Sequence, residues 1–148
     1  QHKLIKSLGP EPLGSDFSGE YLWERAHGRS VAVKQFIMNA NVVVGVGNIY
    51  ASEALFLAGI SPLRAAGRIA RHRYDTLEAT IREVLQKAIK AGGTTLRDFY
   101  GGNGEAGYFK HELTVYDRED EPCVTCKHPI TAVVLGQRST YDCQRCQR

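Results

Sequence analysis

Apolar residues recur at three- and four-residue intervals through Tyr74, Leu77, Ile81, Val84, Leu85, Ala88 and Ile89, the spacing that gathers side chains on one face of an α-helix. A helix is therefore expected to begin near Arg71 and to end at Gly92-Gly93. Upstream, Ile49-Tyr-Ala-Ser-Glu-Ala-Leu-Phe-Leu-Ala58 combines strong helix formers with apolar spacing, so a second helix is expected there, with Asn48 as its N-cap and Gly59 as its stop. The run before it, Asn41-Val-Val-Val-Gly-Val-Gly-Asn48, is apolar but broken by two glycines. Between Val31 and Met38, Val31, Val33, Phe36 and Ile37 suit either a strand or the start of a helix. Residues 1–30, with Gly9-Pro10-Glu11-Pro12 and Gly14-Ser15, hold too few periodic apolar positions for a long element. They read as a lead-in or interdomain segment with short helical turns.

The period changes toward the other end. After a short expected helix at Thr95–Phe99 comes Gly101-Gly-Asn-Gly-Glu-Ala-Gly107, four glycines in seven residues, which is either a plain connector or a binding loop. Leu113, Val115 and Tyr116 then alternate as an expected strand, followed by strands at about Ala132–Leu135 and Ser139–Tyr141 that would form a hairpin. No internal repeat is visible. The pattern divides the chain into the lead-in at 1–30, a mainly α domain over 31–116 and a small β module over 117–148.

A chain of 148 residues with 43% hydrophobic and 24% charged positions has the balance of a folded globular protein and room for one domain plus a small metal-held module. No apolar run approaches bilayer length, so no membrane partner is expected. Gln1-His-Lys is neither a signal peptide nor a natural initiator, which reads as a fragment of something longer. The net charge is only +3, but residues 42–110 hold nine Lys/Arg against six acids, 111–121 one against five, and 122–148 four against one. The acidic stretch Asp117-Arg-Glu-Asp-Glu121 thus separates two basic blocks. Such imbalances are also what solvated faces produce, and charge alone does not identify a nucleic-acid binder.

The β module carries stronger chemistry. All four cysteines fall in two pairs, Cys123-x-x-Cys126 and Cys143-x-x-Cys146, sixteen residues apart, the spacing of a four-thiolate zinc site. Each pair presents two sulfurs on one turn, and two turns at the ends of a hairpin close a tetrahedron with no position left for a reactant, so one structural zinc is expected. Disulfides or free thiols are the competing reading, and His128 reads as a loop residue rather than a ligand. Elsewhere, Gly45-Val46-Gly47-Asn48 runs into a helix start, where free N–H groups and the positive dipole end can hold an anion; ordinary turn glycines and an ordinary cap explain the same residues. Gln137-Arg138-Ser139 lies where the hairpin reverses. Arg138 there is either a groove- or phosphate-binding side chain presented on a rigid tip or a solvated arginine.

Val44-Gly-Val-Gly-Asn-Ile-Tyr-Ala-Ser-Glu-Ala-Leu-Phe56, Gly59-Ile-Ser-Pro-Leu-Arg64, Gly92-Gly-Thr-Thr-Leu-Arg-Asp-Phe99, Gly107-Tyr-Phe109 and Gln137-Arg-Ser-Thr140 before Cys143-Gln-Arg-Cys-Gln147 closely resemble bacterial formamidopyrimidine-DNA glycosylase, in order and over nearly the whole chain. The resemblance implies a mainly α helix-two-turns-helix DNA-binding domain followed by a four-cysteine zinc-finger hairpin. It also implies base-excision repair: removal of 8-oxoguanine and formamidopyrimidines from damaged double-stranded DNA, then backbone cleavage by β,δ-elimination. A monomer in the bacterial cytoplasm, at the nucleoid, is implied. The endonuclease VIII relative, which prefers oxidised pyrimidines, is the nearest alternative, disfavoured by the 101–110 loop and Gly107-Tyr-Phe109. A zinc-ribbon interaction module without a nucleic-acid role is another.

On this resemblance Gly47 and Asn48 would grip a phosphate beside the damaged nucleotide, Arg138 would bind the same backbone from the finger, and Lys34 would stand near the lesion. Gly104, Glu105, Ala106, Gly107 and Tyr108 would belong to the loop that closes over an everted purine; eversion is needed because a stacked nucleotide hides its sugar C1′ from a nucleophile. Two residues depart from the family pattern: Asn39 stands for the usual Asp and would alter a cap, and Asp142 stands for an aromatic and would loosen the metal turn. The family's nucleophile is the secondary amine of an N-terminal proline followed by glutamate. Pro10-Glu11 repeats the dipeptide internally, where the nitrogen is a tertiary amide without a free lone pair, so no catalytic residue is expected here and the chain alone is expected to be inactive.

Overall fold

The computed structural model describes residues 8–92 and 113–148. The expected helix at Thr95–Phe99 and the whole 101–110 loop, with Gly104, Glu105, Ala106, Gly107 and Tyr108, lie outside the described residues. The periodic segment forms the longest helix, Arg71–Gly92 (α4), and Tyr74, Leu77, Ile81, Val84, Leu85 and Ala88 are all buried along it. Ahead of it come α1 (Gly19–Ala26), α2 (Val33–Met38), α3 (Asn48–Ala58) and a 3-10 turn at Ala66–Arg68. Both α1 and α3 pack on α4, and α2 packs on α3.

Helix α3 is buried from Tyr50 through Phe56 without interruption, which is why its sequence is apolar on every side. It is the central element. Thr80 of α4 donates to the Ala54 carbonyl at 2.9 Å, and Gly59 ends the helix in the left-handed region at φ 73° with its N–H turned back on Leu55 and Phe56, as expected of a glycine stop. The start differs from expectation. The N-cap is Gly47, with no side-chain cap, and Asn48 is the first helical residue; its amide is used across the domain instead.

Two other expectations change. The ambiguous 31–38 stretch is helical over Val33–Met38. The supposed lead-in contributes to the core: Phe17, Leu22 and Ala26 are 1% exposed or less and belong to the main cluster with α3 and α4. An eight-residue helix shows too few turns for its period to be read, yet its cap is ordinary, with Ser18 Oγ accepting from Tyr21 N at 3.0 Å. Gly19 lets α1 approach α4 closely, since a Cβ there would stand 2.6 Å from the Asp75 Cα. Pro10 lies outside any helix or strand, where its carbonyl accepts from Val44 N at 3.1 Å and the Glu11–Gly14 turn follows.

The hairpin pairs β1 (Thr131–Leu135) with β2 (Arg138–Asp142), antiparallel, from Thr131 opposite Asp142 to Leu135 opposite Arg138. Gly136 and Gln137 make the turn. Residues 113–116 do not form the expected strand, because their backbone N–H groups bond to a side chain of α3. A second, smaller core joins Val115, Ile130, Cys123 and Cys143 to Phe56 from α3. The finger therefore borrows part of its core from the helical domain.

Candidate nucleic-acid interface

The four cysteine sulfurs lie within 4.8 Å of one another, with Cys123 to Cys146 at 3.8 Å and Cys126 to Cys143 at 3.5 Å. Four sulfurs placed ~2.3 Å from a zinc at the corners of a tetrahedron stand ~3.8 Å apart, so the quartet fits the ion. None is in a disulfide. Backbone N–H groups of Thr125, His128 and Cys146 point at the sulfurs of Cys123, Cys126 and Cys143 at 3.3–3.5 Å, a donor set suited to thiolates. Burial, opposed by the N–H groups of Cys126 and Thr125 and by neighbouring thiols, leaves Cys123 at about 7. Burial, then the neighbouring sulfurs and the Cys123 charge, push Cys146 up to about 12. One thiolate in this cluster is easy to form and a full set is not, unless a cation shares the space. Cys123, Cys126, Cys143 and Cys146 suit one structural zinc, and His128 contributes only backbone to the site.

Three ties fix the finger to α3. The Glu53 carboxylate, 4% exposed, accepts from Thr114 N and Oγ1 at 2.8 Å each and from Val115 N and Tyr116 N at 3.0 Å each. Gln147, also buried, accepts from Cys143 N at 2.8 Å and donates to the Ile60 carbonyl at 2.9 Å. Asn48 Nδ2 donates to the Ser139 carbonyl of β2 at 3.1 Å. Sequence periodicity misses Glu53 and Gln147 as ties; the one signal for Glu53 is a carboxylate set in an otherwise apolar helix, which must find donors or cost several kcal/mol.

The Asn48 bond sets the start of α3 beside the hairpin tip. An open depression of about 330 Å³ is lined by Met38, Gly45, Val46, Gly47, Asn48 and Arg138, so Gly47 and Asn48 of the helical domain meet Arg138 of the finger across it. The first N–H groups of α3 carry no side-chain cap, which leaves donors and the positive dipole end at this depression. A second depression of about 210 Å³ adjoins through Met38 and Arg138 and is lined also by Lys34, Gln35, Asn39 and the hairpin turn. Arg138 is exposed and takes part in no ion pair among the described residues.

Lys34 is placed differently from the other three. It is 1% exposed, and its Nζ donates to Thr140 Oγ1 at 2.8 Å and to the Ser139 carbonyl at 3.4 Å. Burial, then the Arg138 charge, lowers its ammonium to about 8. The two departures from the family pattern are both accommodated. Asn39 Oδ1 accepts from Asn41 N at 2.8 Å, a bond an aspartate would also make, so the turn after α2 is kept and a negative charge is absent from the rim. Asp142 is 5% exposed and accepts from Thr131 Oγ1 at 2.7 Å across its own register pair, which ties the metal turn rather than loosening it.

Comparison with known proteins agrees with this geometry. The formamidopyrimidine-DNA glycosylase H2TH domain matches residues 8–100, and the zinc finger found in FPG and IleRS matches residues 120–148. Formamidopyrimidine-DNA glycosylase of Syntrophotalea carbinolica is 58% identical over 147 residues, covering 99% of this chain and 54% of the relative. Two solved structures of the Lactococcus lactis glycosylase align over 99% of the chain. One, non-covalently bound to DNA containing an AP site, has a TM-score of 0.84 at 31% identity and is covered over 52% of its length; the other, in complex with DNA containing FAPY-dG, has a TM-score of 0.83 at 32% identity and is covered over 53%. The chain thus spans about half the length of the relatives it matches. With the helical match extending over most of the chain and the cysteine finger following it in the same order, the chain belongs to the formamidopyrimidine-DNA glycosylase H2TH family.

Proposed function

We propose that this chain is the DNA-binding half of a base-excision repair glycosylase acting on oxidised purines, 8-oxoguanine and formamidopyrimidine, in double-stranded DNA. The observation that carries it is the meeting of Gly47, Asn48 and Arg138 around one depression, with a helix start supplying N–H donors from one module and a guanidinium from the other. A backbone phosphate satisfies both at once: the N–H groups take its oxygens as a helix N-terminus takes an anion, and the arginine adds a charge-assisted bond. The DNA-bound relatives support the same reading. Pro10 is a backbone amide within the fold and cannot serve as the secondary-amine nucleophile, so in this reading β,δ-elimination belongs to a proline-bearing domain such as its longer relatives would provide, and this chain alone binds without cleaving.

Anisotropy titration against a duplex bearing a stable abasic analogue, across a salt series, tests the reading. Arg138→Ala should weaken binding by about 1–3 kcal/mol and lower the salt slope by about one phosphate contact. Binding by the parent chain that does not respond to salt, or an Arg138→Ala curve superimposed on the parent's, rejects the clamp and returns the finger to the role of a plain interaction module.

A further inference from the structure

Arg138, Thr140 and Asp142 share one face of β2, because alternate residues of a strand do, and this face is turned to the helical domain: Thr140 is fully buried. A buried threonine in so short a strand needs partners for its hydroxyl. Oγ1 accepts from Lys34 Nζ at 2.8 Å, which directs the hydroxyl proton elsewhere, and the Arg138 carbonyl lies in reach at 3.4 Å. Between these two residues, the Ser139 carbonyl accepts from Lys34 Nζ at 3.4 Å and from Asn48 Nδ2 at 3.1 Å. The backbone of residues 138–140 is thereby held by polar groups of α2 and α3.

We propose that Thr140, acting with Lys34, is a positioning residue for Arg138, locking the strand segment from which the guanidinium projects so that it meets a phosphate with its backbone already ordered. Lys34 then serves the anion site from beneath, its ammonium committed to β2 instead of to DNA. This inference rests on the clamp assignment of Arg138.

The test is a double-mutant cycle in the 148-residue chain, read as affinity and salt slope on the abasic-analogue duplex, with zinc content measured for each variant. Thr140→Val keeps the shape and removes the hydroxyl; it should weaken binding about threefold to tenfold, the ratio for losing the pre-ordering of one long side chain. Thr140→Ser, which keeps the hydroxyl, should restore affinity to within about twofold, and Thr140→Val added to Arg138→Ala should cost less than about twofold more. Lys34→Met provides a second arm should Thr140→Val lose zinc, and the same Arg138-dependent loss is expected. Losses of equal size with and without Arg138, or parent-like binding by Thr140→Val and Lys34→Met while Arg138→Ala is weak, overturn the positioning role alone. An Arg138→Ala chain that binds like the parent overturns the clamp itself, and this inference with it.

Discussion

Replacing Glu53 tests how firmly the finger is seated on α3. Its carboxylate receives four donors, three of them backbone N–H groups of residues 114–116, and Val115 beside them is fully buried. Hydrogen bonds to a charged acceptor contribute about 1.5–3 kcal/mol each, and they are not additive. Glu53→Ala removes the acceptor and strands the donors, which by analogy with breaking a buried charged network should cost about 3–5 kcal/mol. Glu53→Gln should cost less. Its single amide oxygen can keep Val115 N and Tyr116 N, while its NH2 turns to Thr114, whose hydroxyl can reverse and accept but whose N–H cannot; one lost donor costs about 1–2 kcal/mol. Urea unfolding of the zinc-loaded chain, followed by circular dichroism, gives both values. Since Val115 packs with Cys123 and Cys143, zinc capture by a chromogenic chelator should also be faster in Glu53→Ala. An alanine variant within about 1 kcal/mol of the parent, or a glutamine variant as unstable as alanine, would refute the reasoning.

Chelation, or Cys143→Ser, should unfold the hairpin while leaving most of the helical signal, because the apolar residues buried in the finger are few, Val115 and Ile130 beside the cysteines; elemental analysis should find one zinc per chain, and a hairpin spectrum unaltered after metal removal contradicts this. Asn48→Asp should bind DNA more weakly than Asn48→Ala, since the carboxylate cannot donate to the Ser139 carbonyl and sets a negative charge at the phosphate site; the opposite order in anisotropy titrations counts against the clamp. The Lys34 ammonium, lowered to about 8 from 10.5, binds its proton less readily in the folded than in the unfolded chain. Stability should therefore rise with pH between about 8 and 10.5, by at most roughly 3 kcal/mol, and Lys34→Met should remove that rise. Parallel pH–stability curves for the two proteins would show that the buried ammonium is not penalised.

Elements whose signal is local and repeated can be read from the residues without any tertiary information. Seven apolar positions over four turns define α4, a glycine in the left-handed region ends α3, and the cysteine spacing specifies the metal module, because each of these depends on neighbours a few residues away. The sequence also carried enough unbroken motif to mark the family. Features that depend on distant partners emerge only once the chain is packed. α1 is too short to announce its period and is recognised only by the burial of Phe17 and Leu22 against α4. Residues 113–116 look like a strand, but a strand needs a partner edge, and the Glu53 carboxylate takes their N–H groups first. Asn48 is spelled as a cap, yet the hairpin lies close enough to claim its amide. Lys34 shows the same limit most clearly: as a match to a family lysine near the lesion it reads as a contact for DNA, and only the docking of β2 over α2 reveals an ammonium turned inward onto Thr140, since which face of a short helix is covered is settled by packing and not by the residues of that helix.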